Sequence, residues 1–205
     1  MSTTCLVTGV AGFIGSHLAE RLLREGYRVV GLDCFSDYYP RPLKEANLSG
    51  LRGQAGFDLR EQDLCTADLE ALLREEGVEV IFHEAAQAGV RRSWGREFEI
   101  YTQNNVLATQ RLLEAARAHG VSRFIYASSS SIYGDTDELP MRETARSPFR
   151  PMGSASWLPS TSASSTMPIS ACRPYRCATL PSMAPGSGRI WPSTASSRPS
   201  CGAKR

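Results

Sequence analysis

Apolar positions along the first two thirds of the chain fall into two alternating rhythms. Thr4-Cys5-Leu6-Val7 is a compact run stopped by Thr8-Gly9, which reads as a short buried strand. Ile14, Leu18 and Leu22 then recur every fourth position, the apolar stripe of a helix, and Gly26 is placed to end it. Arg28-Val29-Val30-Gly31-Leu32-Asp33 reads as a second strand, completing a strand-helix-strand unit whose crossover is expected to be right-handed. The alternation continues. A third strand is expected within Phe57 to Leu64. A helix with Thr66 as N-cap follows, running to Glu76 and closed by Gly77. Val78 to His83 is the fourth strand, Phe98 to His119 a long helix ended by Gly120, and Arg123 to Ser128 the fifth strand. Strands alternating with helices predict an α/β, Rossmann-like, doubly wound parallel sheet covered on both faces.

Chemistry enters at the first turn. Gly9-Val10-Ala11-Gly12-Phe13-Ile14-Gly15 spells G-x-x-G-x-x-G between a strand and a helix. Gly9 permits the tight turn, Gly12 lets backbone approach a pyrophosphate, and Gly15 lets helix and strand pack closely. The helix N-terminus offers free N–H groups and partial positive charge to phosphates. Asp33 closes the second strand 18 residues after Gly15. Its carboxylate suits ribose hydroxyls and repels a 2′-phosphate, which favours NAD over NADP.

The spelling TGVAGFIGSHL, Thr8 to Leu18, resembles the extended short-chain dehydrogenase/reductases. Four further segments carry the resemblance as far as about residue 144. Gln62-Asp63-Leu64 resembles the strand-end acid that holds the adenine amine. His83 to Arg91, HEAAQAGVR, is similar to the segment that lines the cofactor after the fourth strand. Asn105-Val106-Leu107-Ala108-Thr109 resembles N-V-x-G-T, with Ala108 where glycine is usual. Ala127 to Gly134 is similar to the catalytic-serine strand of UDP-glucose and UDP-glucuronate 4-epimerases. The resemblance implies NAD bound by Gly9, Gly12, Phe13, Ile14, Gly15, Asp33, Asp63, Leu64, Ala85, Ala86, Gln87, Asn105 and Ser128, with Ser129 as the catalytic serine. Asp37-Tyr38-Tyr39 and Lys44 resemble a stretch of uronate epimerases, and Arg91 is the candidate contact to a sugar-nucleotide substrate. These residues also have local structural uses: Asp63 as a capping acid, His83 as strand-end packing, Asn105 as a partner for backbone groups.

Composition divides the chain. All 21 acidic residues lie at or before Glu143, whereas residues 147–205 hold no acid, seven basic residues, 14 serines and nine prolines. Residues 1–146 therefore carry a formal charge of −5 and the tail +7, which sum to the +2 of the whole chain. This reads as an NAD-binding domain over 1–146, truncated after the fifth strand, and a low-complexity tail over 147–205. The tail's prolines are separated by at most eight residues, too closely for helices beyond about two turns. With little apolar surface to bury, it is expected to be disordered. No nucleic-acid footprint, membrane span, signal peptide or metal site is expected, and a reduced, cytoplasmic setting is the default expectation.

Resemblance to these epimerases and dehydratases implies hydride transfer from C4 of a nucleotide sugar through a 4-keto intermediate. A tyrosine four residues before a lysine would serve as base. No Tyr-x-x-x-Lys occurs in the chain, whose only lysines are Lys44 and Lys204. The tail reads as a frameshifted translation of the missing half. Taking the third base of each codon with the first two of the next, Phe149 to Thr161 permits Ser-Pro-Tyr-Gly-Val-Ser-Lys-Leu-Ala-Ala-Glu-His. Met152-Gly153 forces the glycine in that string. The chain as written is therefore expected to lack turnover. The alternatives are a non-catalytic NAD-binding regulatory module and a native tail that binds acidic partners. Relatives form homodimers through a helix bearing the missing pair, so a dimer is not expected here.

Overall fold

A computed structural model describes residues 2–89, 97–129 and 133. The expected tail, Arg91 and residues 130–132 and 134 of the serine segment lie outside the described residues. Five strands form one parallel sheet: β1 Thr4–Thr8, β2 Arg28–Asp33, β3 Phe57–Glu61, β4 Val80–His83 and β5 Arg123–Tyr126, in the order β3-β2-β1-β4-β5. Registers such as Leu6 opposite both Val30 and Ile81, and Ile81 opposite Phe124, put one residue from each of four strands in a row. Successive side chains of a strand point to opposite faces, so each strand feeds two cores. Leu6, Val30, Leu32, Ile81 and Phe124 pack with α3 (Leu69–Glu76) and α5 (Ala108–His119). Cys5, Val7 and Val29 pack on the other face with α1 (Phe13–Arg24) and α2 (Arg41–Leu48). Complete burial of a side chain such as Leu6 or Ile81 contributes about 1.5–3 kcal/mol. The doubly wound architecture is as expected.

Several elements differ in extent. β3 ends at Glu61, opposite Asp33, where its partner β2 also ends. β4 begins at Val80, two residues late. Asp68, rather than Thr66, caps α3, its carboxylate accepting from the Ala71 amide at 3.0 Å. The stripe expected on α1 reaches the core at Leu18, half-buried, and Leu22, whereas Ile14 is 56 % exposed; Gly15, Ser16 and Ala19 complete the buried face. The long helix is three pieces: α4 (Phe98–Tyr101), a π-helical turn (Thr102–Leu107) and α5. α2 was not expected; Pro42 sits in its first turn, where the missing N–H costs nothing. Among the described residues no helix is long and apolar enough to cross a membrane.

Candidate functional site

The strand order reverses at β1, with β2 to one side and β4 to the other. Open α/β sheets bind ligands at such a point, beyond the carboxyl ends of the strands. A cleft of about 740 Å³, part of it open to solvent, lies there, lined by Gly9, Gly12, Asp33, Asp63, Leu64, Ala85, Ala86 and Gln87 among others. Eight of the thirteen residues assigned to the cofactor by sequence therefore share one cavity.

The glycine turn is fixed by close approach. Gly9 has φ +68°, and a Cβ there would sit 2.9 Å from the Ala85 backbone. A Cβ on Gly15 would collide with the Gly9 carbonyl and lie 2.9 Å from Val10 Cα. The turn thus runs flush against the loop after β4. At the start of α1, Gly12 makes no side-chain cap and the first turn holds no acid. The first intrahelical bond is Ser16 N–H to the Gly12 carbonyl, so the amides of Phe13, Ile14 and Gly15 have no acceptor on the helix. An uncapped, acid-free N-terminus beside a backbone-only cradle fits a diphosphate. Phe13 is 61 % exposed, and neither it nor Ile14 lines the cavity.

Asp33 stands at the next strand end, nearly buried. Its Oδ2 accepts from the Ala11 amide at 3.0 Å and its Oδ1 from the Phe35 amide at 2.8 Å. The acid therefore clamps the glycine turn as well as facing the cleft. A second clamp comes from Tyr39, just before α2, and Asn47, within it: Tyr39 Oη and Asn47 Nδ2 both donate to the Ala11 carbonyl, at 3.2 and 2.9 Å. Burial raises the Tyr39 phenol's pKa, and the Asp33 charge raises it further. Tyr38, Tyr39 and Lys44, read from sequence toward the sugar, line the cleft beside Asp33 instead. Across from them Asp63 accepts from the Cys65 amide at 2.7 Å, so this acid both lines the cleft and shapes its turn.

Beyond β4 the site rests on a buried relay. His83 is 1 % exposed. The Ala85 amide donates to Thr8 Oγ1 at 3.1 Å, so the Thr8 hydroxyl proton is free for His83 Nδ1 at 2.7 Å. On the other side Thr109 Oγ1 donates to the Asn105 carbonyl at 2.8 Å and lies 2.9 Å from His83 Nε2. This assigns the tautomer with the proton on Nε2. Burial pushes the imidazole down to about 4, so it is neutral at physiological pH. Asn105 continues the chain: its Oδ1 accepts from the Gln87 amide at 2.7 Å and its Nδ2 donates to the Gln87 carbonyl at 3.2 Å. Its side chain is thus turned to the loop, while its neighbour Asn104 lines the cleft. The single Tyr101 hydroxyl proton is shared between the carbonyls of Ala88 and Gly89, which lie 3.0 and 2.6 Å from Oη.

Asn104, Ser36 and Glu84 line the cleft and were not singled out by sequence. Glu84's carboxyl is held above the ordinary range by burial. Ser128 and Ser129 follow β5, exposed and half-buried respectively, and neither reaches the cavity wall.

The profile of the NAD dependent epimerase/dehydratase family matches residues 5–154. YtcB of Bacillus subtilis (strain 168), described as an uncharacterized UDP-glucose epimerase, is 48% identical over 149 residues, 72% of this chain and 46% of that protein. A probable UDP-glucuronate 4-epimerase of Rhizobium meliloti (strain 1021) is 41% identical over 144 residues, 69% of this chain and 41% of that one. Among solved structures, UDP-glucuronic acid 4-epimerase from Bacillus cereus in complex with UDP-glucuronic acid and NAD superposes with a TM-score of 0.76. It is 37% identical, over 82% of this chain and 55% of that one. The chain spans less than half the length of the curated relatives it matches.

Proposed function

Because the chain belongs to the NAD dependent epimerase/dehydratase family, we propose that it is the cofactor-binding part of a UDP-sugar 4-epimerase and holds NAD without turning over sugar as its 205 residues stand. The observation that carries this reading is the single cleft joining the uncapped start of α1, Asp33 and Ala85–Gln87. The α1 amides would take the diphosphate, Asp33 the adenosine ribose, and Asp63 the adenine amine. When bound, NAD supplies the hydride acceptor for C4 of the sugar. Ser129, placed just past β5, would hydrogen-bond the reacting sugar oxygen. A UDP-hexose or UDP-uronate is the substrate class, in line with what the Bacillus cereus enzyme is described as binding.

Turnover would need a base, and no Tyr-x-x-x-Lys is present. We attribute residues 147–205 to a shift of reading frame near Ala145 to Ser147, where the composition changes. Two chains test this: the present sequence, and one expressed after a single-base correction at codons 140 to 150. Both should bind NAD, and only the corrected chain should epimerise a UDP-sugar, the base alone accounting for roughly 10²–10⁴-fold. Turnover by the uncorrected chain would overturn the inactivity. A gene with no one-base correction in that window would favour the second reading, an NAD-binding module without catalysis.

A further inference from the structure

The turn between β3 and α3 brings Asp63 and Leu64 to the cleft wall. Its internal bonds fix its shape. The Asp63 carbonyl accepts from the Thr66 and Ala67 amides at 3.1 and 2.8 Å, and Asp63 Oδ1 accepts from the Cys65 amide. These bonds lie within the turn, so they do not fix its place against the rest of the cleft. Bonds to other elements do. The Gln62 amide donates to the Asp33 carbonyl at 3.1 Å, and the Cys65 thiol to the Gln103 carbonyl at 3.4 Å. Arg111, in α5, supplies two more: Nε donates to the Leu64 carbonyl at 3.2 Å and Nη2 to the Ala67 carbonyl at 3.1 Å.

Arg111 is half-buried, and among the described residues its guanidinium pairs with no acid; its donors go to the two main-chain carbonyls. A guanidinium is a rigid planar fork that stays charged, and its hydrogen bonds are stronger than those between neutral groups. The fork therefore sets the Leu64 and Ala67 carbonyls relative to each other and to α5. That helix is itself anchored, with Leu112, Ala115 and Ala116 in the core and Thr109 against His83. A hydrogen bond weakens steeply as its geometry opens. An acid that recognises a base through such a bond is only as selective as its placement, and the Leu64 carbonyl is one residue from Asp63.

We propose that Arg111 is a positioning residue for base recognition: it holds the turn so that Asp63 meets the adenine amine, and thereby sets the preference for adenine over a 6-oxo purine in the dinucleotide. Arg111 touches no part of the dinucleotide; it acts through the turn. The inference rests on the reading of the cleft as an NAD site with Asp63 at the adenine.

Calorimetric titration of the full chain with NAD and with nicotinamide hypoxanthine dinucleotide tests it, on the unaltered protein, Arg111→Met, Arg111→Lys and Asp63→Ala. The analogue carries a carbonyl oxygen where adenine carries its amine. The unaltered chain should prefer NAD by about tenfold or more, Asp63→Ala should remove the preference, and Arg111→Met should bring it down to about threefold or less. Arg111→Lys, which keeps the charge but cannot span both carbonyls as a fork, should fall between. An Arg111→Met chain that binds both dinucleotides more weakly at the unaltered ratio would have lost only structure, and would overturn the proposal. If Arg111→Met does not fold, Arg111→Lys decides, and a ratio equal to that of the unaltered chain counts against it. Equal affinities for the two dinucleotides in the unaltered chain would remove Asp63 from the adenine, and the proposal with it. Folded, unaltered protein that gives no heat with either would instead remove the reading of the cleft itself.

Discussion

At the Asp33 end of the cleft, each polar contact has a main-chain group of the glycine turn or the next loop on one side, the Lys44 ion pair excepted. The carboxylate accepts from the Ala11 and Phe35 amides, and the Ala11 carbonyl accepts from the Tyr39 and Asn47 side chains. At the His83 end, the bonds run through side chains: Thr8, His83, Thr109 and Asn105 hand one to the next until the Gln87 backbone is reached. The first end consequently depends on glycines, whose place no other residue can take. The second depends on a titratable group and on hydroxyls that substitution can remove singly. One end breaks by sterics, the other by protons.

The largest effect should come from the main-chain end. Gly15→Val sets a side chain against the Gly9 carbonyl and Val10 Cα. It is expected to cost about 3 kcal/mol or more of the roughly 5–15 kcal/mol of a domain. A urea midpoint equal to that of the unaltered chain would dissolve the contrast between the ends.

Acid should act on the other end. His83 is neutral in the fold, its imidazole held at about 4 against an ordinary 6.5. The unfolded chain therefore binds more protons at acid pH, and folding stability falls as pH drops from about 6.5 to about 4, by about 3 kcal/mol in all. The Arg28 and Arg60 guanidiniums lower the Glu76 carboxyl from its ordinary 4.5, so that pair is lost only at lower pH. Urea midpoints at pH 7.5, 5.5 and 4.5 read the effect, and His83→Gln should flatten the profile above pH 4.5. An equally sloping profile in that variant would place the titration elsewhere.

Asn105→Ala tests the last link and should have the smallest effect of the three. It strips the Gln87 amide and carbonyl of their partner, a loss of about 1–3 kcal/mol. NAD affinity should drop several-fold with the glycine turn intact, and Asn105→Asp, which keeps the acceptor for the Gln87 amide, should fall between. Unchanged affinity in both variants would show that the loop holds itself.

The same contrast explains what could be read before the fold was seen. β2 is found over Arg28–Asp33 as expected, and the glycine turn and Asp33 follow from spacing, because main-chain geometry imposes residue types at fixed intervals. Side-chain relays impose no such spacing. His83 and Asn105 could be noticed but not connected, since Thr8 and His83 lie 75 residues apart. Asn104 was hidden by its twin: two adjacent asparagines are equivalent in sequence, and only the π-helical turn decides that one lines the cleft while the other is buried. Tyr39 and Lys44 were read toward the sugar from a resemblance alone; in the fold Tyr39, just before α2, and Lys44, within it, line the cleft beside Asp33.

Tyr101 and Asn105, from a single helical run, seize the carbonyls of Gln87, Ala88 and Gly89, three peptides in succession. A strip gripped at every link cannot flex between its grips. A push on Gln87 from inside the cleft is therefore felt first at Asn105, and through it along the helical run that carries it.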